Sequence, residues 1–356
     1  MQLRPKQLLV LSALLSGVLG QTSSTAPTPK AVYNGGYQNA SEILLRVANG
    51  GAGQSGLVEA FANAFIKYSV EKGSSKPFSV AWILGDTTQS LDYIAAKQAD
   101  VGLTYNDAAE AQSIASGASV KKDLVFLDHF YLVGPQSNPA KLSKTDTVPQ
   151  LFNKIVTSGN ADVANPPNGR PATRFLSRFD KSATNIKDSE LFIKIGQVPW
   201  AQPASTWYHE YPRYPLEALE EASTKSEYTI TDKGTWLSSP ASVTDKLNIY
   251  KGADESTTTP PRDSKAQGTW LPSPASVTDQ LILIHKGADE STTTFGDSKD
   301  DAALLLNPCS AVLSAHPSNK SVAESFMSWL LSKDGGQKVV REFKKNGKVL
   351  YTPVVA

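Results

Sequence analysis

Cysteine is nearly absent: Cys309 stands alone in a chain of 356 residues. One thiol makes no internal disulfide, so the fold must be held by its core. Cys309 ends the apolar stretch Leu304–Cys309 and reads as a small buried hydrophobe. An excess of charge of one sign is also missing. Lys plus Arg number 35 against 34 Asp plus Glu, which argues against a nucleic-acid partner. Any bound anion must therefore be held by a local site. Beyond the N-terminus no segment reaches about eighteen consecutive apolar residues, so no membrane insertion is expected. Histidine is scarce, and His129, His209, His285 and His316 show no metal-ligand spacing. His209-Glu210 is followed by Arg213 where a second ligand histidine would stand. Neither a Gly-x-Ser-x-Gly elbow nor a Gly-x-x-x-x-Gly-Lys-[Ser/Thr] loop occurs. The expectation is a protein with no metal, no cofactor and no catalysis.

What is present begins with a secretory pattern. Arg4 and Lys6 precede an apolar run from Leu8 to Leu19, and Val18 and Gly20 suit a signal-peptidase site cutting after Gly20. Residues 1–20 are expected to be a signal peptide and the product a secreted, extracellular monomer. Residues 21–41, rich in Ser, Thr, Pro and Gly, read as a flexible spacer. Asn39-Ala40-Ser41 and Asn319-Lys320-Ser321 are glycosylation sequons, usable only in a eukaryotic host. The Ser/Thr-rich start suggests such a host, a fungal one.

From Ile43 onward short apolar runs alternate with helical patterns. Ile43 to Ala48 reads as a strand, Asn49 to Gly53 as a glycine-rich turn, and Ser55 opens a helix with Leu57, Val58, Phe61, Ala62 and Phe65 on one face. Strands follow at Phe78 to Leu84 and Val101 to Tyr105, with a helix at Leu91 to Ala99 between them. Asp107 is expected to cap a helix over 108–116, and Leu124 to Val133 is a long apolar run. This β-α-β-α-β order predicts an α/β fold, a mostly parallel sheet flanked by helices. At the far end, Ser321 with Glu324 reads as a capping box, and Asp334 as the cap of a last helix running to Lys345.

An internal repeat interrupts the pattern. Thr235–Asp245 recurs as Thr269–Asp279, and Lys251-Gly-Ala-Asp-Glu-Ser-Thr-Thr-Thr recurs from Lys286. Two copies are too few for a solenoid, so a tandem duplication is the better account. The second copy, Leu281-Ile-Leu-Ile-His285, makes the better buried strand. Residues 236–268 are expected to be a surface insertion, poorly ordered.

Several segments, taken in order, resemble the bacterial extracellular tungstate/molybdate-binding proteins, a branch of the type II periplasmic-binding-protein superfamily. They are Ala99–Thr104, Asp128–Pro135, Thr173–Asp180, Tyr228–Gly234, Leu305–Pro308 and the C-terminal stretch ending Leu350-Tyr351-Thr352-Pro353. The resemblance implies two lobes joined by a hinge that crosses twice. Residues 42–132 with 306–356 would form lobe 1, and 133–305 lobe 2. It also implies a small oxyanion ligand in the interlobe cleft and a partner transporter of the ABC type. The family's first ligand loop is rich in Thr and Ser and leads into Ser-Gly-Leu. Ser55-Gly56-Leu57 matches, while Asn49, Gly50, Gly51, Ala52, Gly53 and Gln54 replace the hydroxyl residues. Backbone amides at a helix entrance can still capture an anion. The second loop follows Ser-Arg-Gly-Asp-Asp-Ser-Gly-Thr in the family and reads Ser177-Arg178-Phe179-Asp180-Lys181-Ser182-Ala183-Thr184 here. Arg178 matches the anion-contacting arginine, whose planar fork suits an oxyanion; a surface or interdomain ion pair with Asp180 or another acid is the other reading of that residue. Ser177, Ser182 and Thr184 would add hydroxyl donors. The ligand-binding set implied is thus Asn49, Gly50, Gly51, Ala52, Gly53, Ser55, Ser177, Arg178, Ser182 and Thr184.

Two other readings stay open. Trp200, Trp207, Tyr208, Tyr211 and Tyr214 crowd one segment with Arg213, as in a cleft for an organic, glycan or protein ligand or in simple lobe packing. The Asp128–His129 pair is either part of a hydrolase triad with no identifiable serine, or a satisfied buried histidine near the hinge.

Overall fold

A computed structural model describes residues 26–257 and 301–355. The signal segment and the second copy of the repeat lie outside the described residues. The chain opens with β1 (Ala31–Tyr33), β2 (Ile43–Asn49), α1 (Gly51–Ser55), α2 (Leu57–Glu71), β3 (Ser79–Leu84), α3 (Thr87–Ala95), β4 (Val101–Thr104) and α4 (Asp107–Ala115). A long β5 (Ser119–Pro135) leads into α5 (Val148–Ala164), β6 (Phe175–Ser177), α6 (Ala183–Lys194), β7 (Tyr208–Glu210), α7 (Pro215–Lys225), β8 (Thr229–Asp232), α8 (Lys233–Ser238), α9 (Ala241–Thr244) and β9 (Leu247–Gly252). The return runs through β10 (Leu306–Ser314), α10 (Lys320–Leu330), α11 (Gly336–Glu342), β11 (Lys344–Lys345), β12 (Lys348–Val349) and β13 (Thr352–Pro353).

In the central sheet β3, β2 and β4 run parallel. β10 closes this set by pairing antiparallel with β4 on one side and β5 on the other. Farther along, β5 pairs with β8 and β9. β5 and β10 therefore run from one lobe into the next. The apolar cores mark the crossing. Val125, Phe126, Cys309 and Tyr351 belong to a core with α2 and α10, whereas Leu127, Phe130 and Leu306 belong to one with α5 and α6. The first core is built as the periodicity implies. Phe61, Phe65 and Ile66 of α2 are buried, and Phe65 meets Phe326 at 5.0 Å and Trp329 at 5.5 Å. Each such ring removed from water is worth about 2 kcal/mol. Cys309 is buried and free. Along β5 the two cores meet between Phe126 and Leu127.

The structure corrects several local expectations. Residues 31–33 of the supposed spacer form β1, antiparallel to β3 with Val32 opposite Ala81. In the repeat the first copy makes the strand: β9 pairs with β5, and Tyr250 is buried. The surface-insertion reading of 236–268 thus fails for Trp236–Gly252, where tertiary pairing outweighed the more polar local composition. The cap of α4 is Asn106, not Asp107, and that of α10 is Asn319, whose Oδ1 accepts from the Val322 amide. The last helix stops at Glu342 because Asn346-Gly347, both at positive φ (50° and 76°), form the turn of the β11–β12 hairpin.

Candidate functional site

The lobes face each other across a cavity of about 550 Å³. Gly50 and Gly51 border it from lobe 1 and Arg178, Ser182 and Thr184 from lobe 2, so the two loops named from sequence do meet. Asn49, Ala52, Gly53, Ser55 and Ser177 do not border it.

The lobe-1 loop is a helix rather than a turn. Asn49 is fully buried and acts as its keystone. Its Nδ2 donates to the Leu103 carbonyl at 2.7 Å, and its Oδ1 accepts from the Gly53 amide at 2.7 Å. Its carbonyl accepts from the Trp82 indole N–H at 2.9 Å. Gly53 lies so close to that indole that a Cβ would sit 2.2 Å from Cε2, which explains the glycine there. Gly56, at φ 98°, ends α1 and starts α2. The Ser55 hydroxyl meets the Ala52 carbonyl and the Tyr351 hydroxyl, at 2.9 and 2.8 Å. Gly50, the residue before α1, supplies no side-chain cap. The first amides of this short helix therefore have no side-chain cap; Gly51 is exposed at the cavity edge, while Ala52 is buried away from it.

The lobe-2 loop is held by charge and by strain. The Arg178 Nε donates to the Arg213 carbonyl at 3.0 Å, and its Nη2 pairs with Asp180. Nη1 has no protein partner among the described residues. Phe179 occupies the position where the resembling family has glycine, and it keeps the left-handed backbone at φ 47°; Lys181 does the same at 65°. Ser182 caps α6 by accepting from the Asn185 amide at 3.3 Å. Ser177 is turned inward: its Oγ donates to the Asp188 carboxyl at 2.7 Å. Burial pushes the Asp188 carboxyl up to about 7, against the lowering effect of the Ser177 and Asn185 hydrogen bonds.

The hinge supplies the cavity floor, and the sequence reading assigned none of it to the ligand. Asp128, Phe130, Asn307 and Tyr351 all border the cavity. Asp128 and Phe130 are two apart on β5 and share a face, Asn307 lies opposite Asp128, and Asp232 lies opposite Phe130. Burial, and then the nearby Asp232 charge, raise the Asp128 carboxyl well above the usual range. Thr87, at the start of α3, was also missed. It is 5% exposed and borders the cavity, and its Oγ1 has no hydrogen-bond partner among the described residues. A hydroxyl residue just after the Asp86 cap was the available signal. The aromatic segment divides: Trp207 and Tyr208 fill the lobe-2 core, while Arg213 and Tyr214 reach the cavity.

The Asp128–His129 pair is not a catalytic dyad. Asp128 accepts from the His129 backbone amide at 2.8 Å, not from the ring. The imidazole is buried and spans the Leu350 carbonyl at 3.1 Å and the Thr352 hydroxyl at 3.0 Å. The carbonyl can only accept, so Nδ1 donates there and Nε2 accepts from Thr352. Burial, then the Lys233 charge, lower its pKa and keep it neutral. Among the described residues no group of three or more His, Cys, Asp or Glu is arranged to hold a metal. None of their helices is long and apolar enough to cross a membrane.

The family model of the PBP superfamily domain matches residues 21–334, and the chain belongs to that family of two-lobed periplasmic-binding proteins. A Haloferax volcanii protein described as a candidate ABC-transporter anion-binding protein is 25% identical over 239 residues, 66% of this chain and 63% of its own length. The tungstate-binding protein TupA of Peptoclostridium acidaminophilum is 31% identical over 157 residues, 44% of this chain and 50% of that protein. The chain thus spans about half to two thirds of the curated relatives it matches. A crystal structure of a periplasmic protein, described as a candidate metal-binding protein, shares 41% identity with a TM-score of 0.71. The match covers 91% of this chain and 98% of that one. These relatives are binding proteins rather than enzymes, and the chain is read as non-catalytic. The expectation of a fungal form is not borne out: these two of the curated relatives are archaeal and bacterial.

Proposed function

We propose that this protein binds a small anion in the interlobe cleft and releases it unchanged, and that the anion is an oxyanion of the tungstate or molybdate type. The observation that carries this reading is the cavity shared by Arg178 and the acid-free starts of α1 and α6. The Arg178 Nη1, left without a protein partner among the described residues, and the uncapped start of α1 suit an oxyanion's acceptors. The names of two relatives support the same ligand class. Closure of the two lobes about β5 and β10 would complete the site. The secretory pattern of residues 1–20 and the periplasmic neighbour support an extracytoplasmic location and hand-over to an importer.

Isothermal titration with tungstate, molybdate, sulfate and phosphate tests the proposal. One of them is expected to bind with release or uptake of heat and to raise the melting temperature. No response from any of the four up to millimolar concentration would sink the oxyanion reading. A second reading, an organic ligand, is favoured by the cavity's 550 Å³, a size within the ~300–1,000 Å³ range of organic-ligand pockets.

A further inference from the structure

The cavity offers a dianion less positive charge than its two arginines imply. Arg178 and Arg213 are the basic side chains that border it, both on lobe 2, and several Asp and Glu side chains border it with them. The Arg178 charge is already met by Asp180. Its free Nη1 can still donate to an oxygen, yet the pair as a whole is neutral. Arg213 differs. Among the described residues its Nη1 donates to the Pro212 carbonyl at 3.1 Å, its Cζ lies 5.9 Å from the centre of the Tyr211 ring, and it forms no ion pair. A carbonyl and a ring face leave a full positive charge uncompensated.

The backbone holds this second arginine beside the first. The Tyr211 amide donates to the Ser177 carbonyl at 2.8 Å, which ties the segment after β7 to the end of β6. The Arg213 amide donates to the Tyr211 carbonyl at 2.8 Å in a tight turn, and Pro212 and Pro215 fix φ on either side. The Arg213 carbonyl in turn accepts from the Arg178 Nε at 3.0 Å. All of these contacts use Arg213 backbone atoms. The orientation of Arg178 therefore does not depend on the Arg213 side chain, whose guanidinium is left exposed at the cavity wall.

Resting on the anion-binding reading, we propose that Arg213 is the residue that makes the site select doubly charged oxyanions over singly charged ones of the same shape. Arg178 recognises the oxygens and contributes little net charge, because Asp180 cancels it. Arg213 supplies the charge. The attraction of a dianion to one guanidinium is twice that of a monoanion of equal size. Water screens an exposed arginine, and closure of the lobes over the ligand would remove part of that water and strengthen the preference. The ligand set implied by the family resemblance did not include this residue.

The test compares, by calorimetry, whichever of tungstate, molybdate, sulfate and phosphate binds with a tetrahedral monoanion of similar size. Perrhenate serves for the first two and perchlorate for the others. The wild-type protein is expected to favour the dianion by about 10-fold or more, the worth of one charged contact. In Arg213→Gln that ratio should fall toward one through weaker dianion binding, with monoanion binding little changed. Arg213→Lys, which keeps the charge, should retain most of the preference. Equal binding of both anions by the wild type overturns the proposal. So does an unchanged ratio in Arg213→Gln, an equal weakening of both anions there, or a loss in Arg213→Lys as large as in Arg213→Gln; the anion reading survives each of these. If none of the four oxyanions binds the wild type, the anion reading falls and the inference with it. Arg213→Ala takes the place of Arg213→Gln should the latter fail to fold.

Discussion

The two ligand loops reach the same cavity by opposite means. On lobe 1 the chain from Asn49 to Gly56 is locked by buried contacts: an asparagine bonded on both sides, a glycine under an indole, and a left-handed glycine joining two helices. Its cavity-lining residues are two glycines and Gln54. On lobe 2 the chain from Ser177 to Thr184 rests on an ion pair, a serine cap and two side-chain-bearing residues in the left-handed region. Its ligand-facing surface is side chain. The contrast predicts that the first loop resists substitution, while the second accepts it and tunes what binds.

The comparison breaks most readily at Gly53. Gly53→Ala places a Cβ inside the Trp82 ring, and a loss of about 3 kcal/mol is expected in denaturant unfolding. A loss under about 1 kcal/mol would mean that the lobe-1 loop is not locked. On the other side, Arg178→Ala should leave the fold largely intact and weaken anion binding about 10- to 100-fold by calorimetry, the worth of a charged hydrogen bond. Unchanged affinity would remove Arg178 from the site. Asp188 gives a pH test of the support beneath that loop. Its folded-state pKa of about 7 lies above the ordinary 3.8, so the folded protein holds the extra proton between them. Stability should then fall as pH rises from about 4 to about 7, by up to ~1.4 kcal/mol per pH unit, and level off above. Asp188→Asn should flatten that slope in melting curves; an unaltered slope would place its origin elsewhere. The smallest effect is expected for Phe179→Gly. Relief of the left-handed backbone, about 1 kcal/mol, opposes loss of the edge contact with Tyr208. A shift above about 2 kcal/mol in either direction would contradict the balance described.

Much of the lobe-1 core could be read directly. Leu57, Val58, Phe61, Ala62 and Phe65 fall on one helical face, and they are the residues buried. Loop 2 was legible as a location, because Arg178, Ser182 and Thr184 border the cavity. What misled was treating each polar or glycine residue in a loop as facing the ligand. Asn49 and Ser177 spend their side chains on Leu103, Gly53 and Asp188, partners up to 54 residues away. The floor residues Asp128 and Asn307 stayed hidden because they sit in apolar strands, and only strand pairing turns them toward the cleft.

The sequence by itself determined the family, the helix faces, the near-neutral charge and the two stretches of chain that border the cavity. Those are local properties, set by periodicity and residue type. Tertiary structure alone decided which of their atoms are free to bind, that the first repeat copy pairs with β5 and that the cleft floor is acidic. Each of these depends on neighbours distant in the chain, and burial changes what a carboxyl or an amide is able to do.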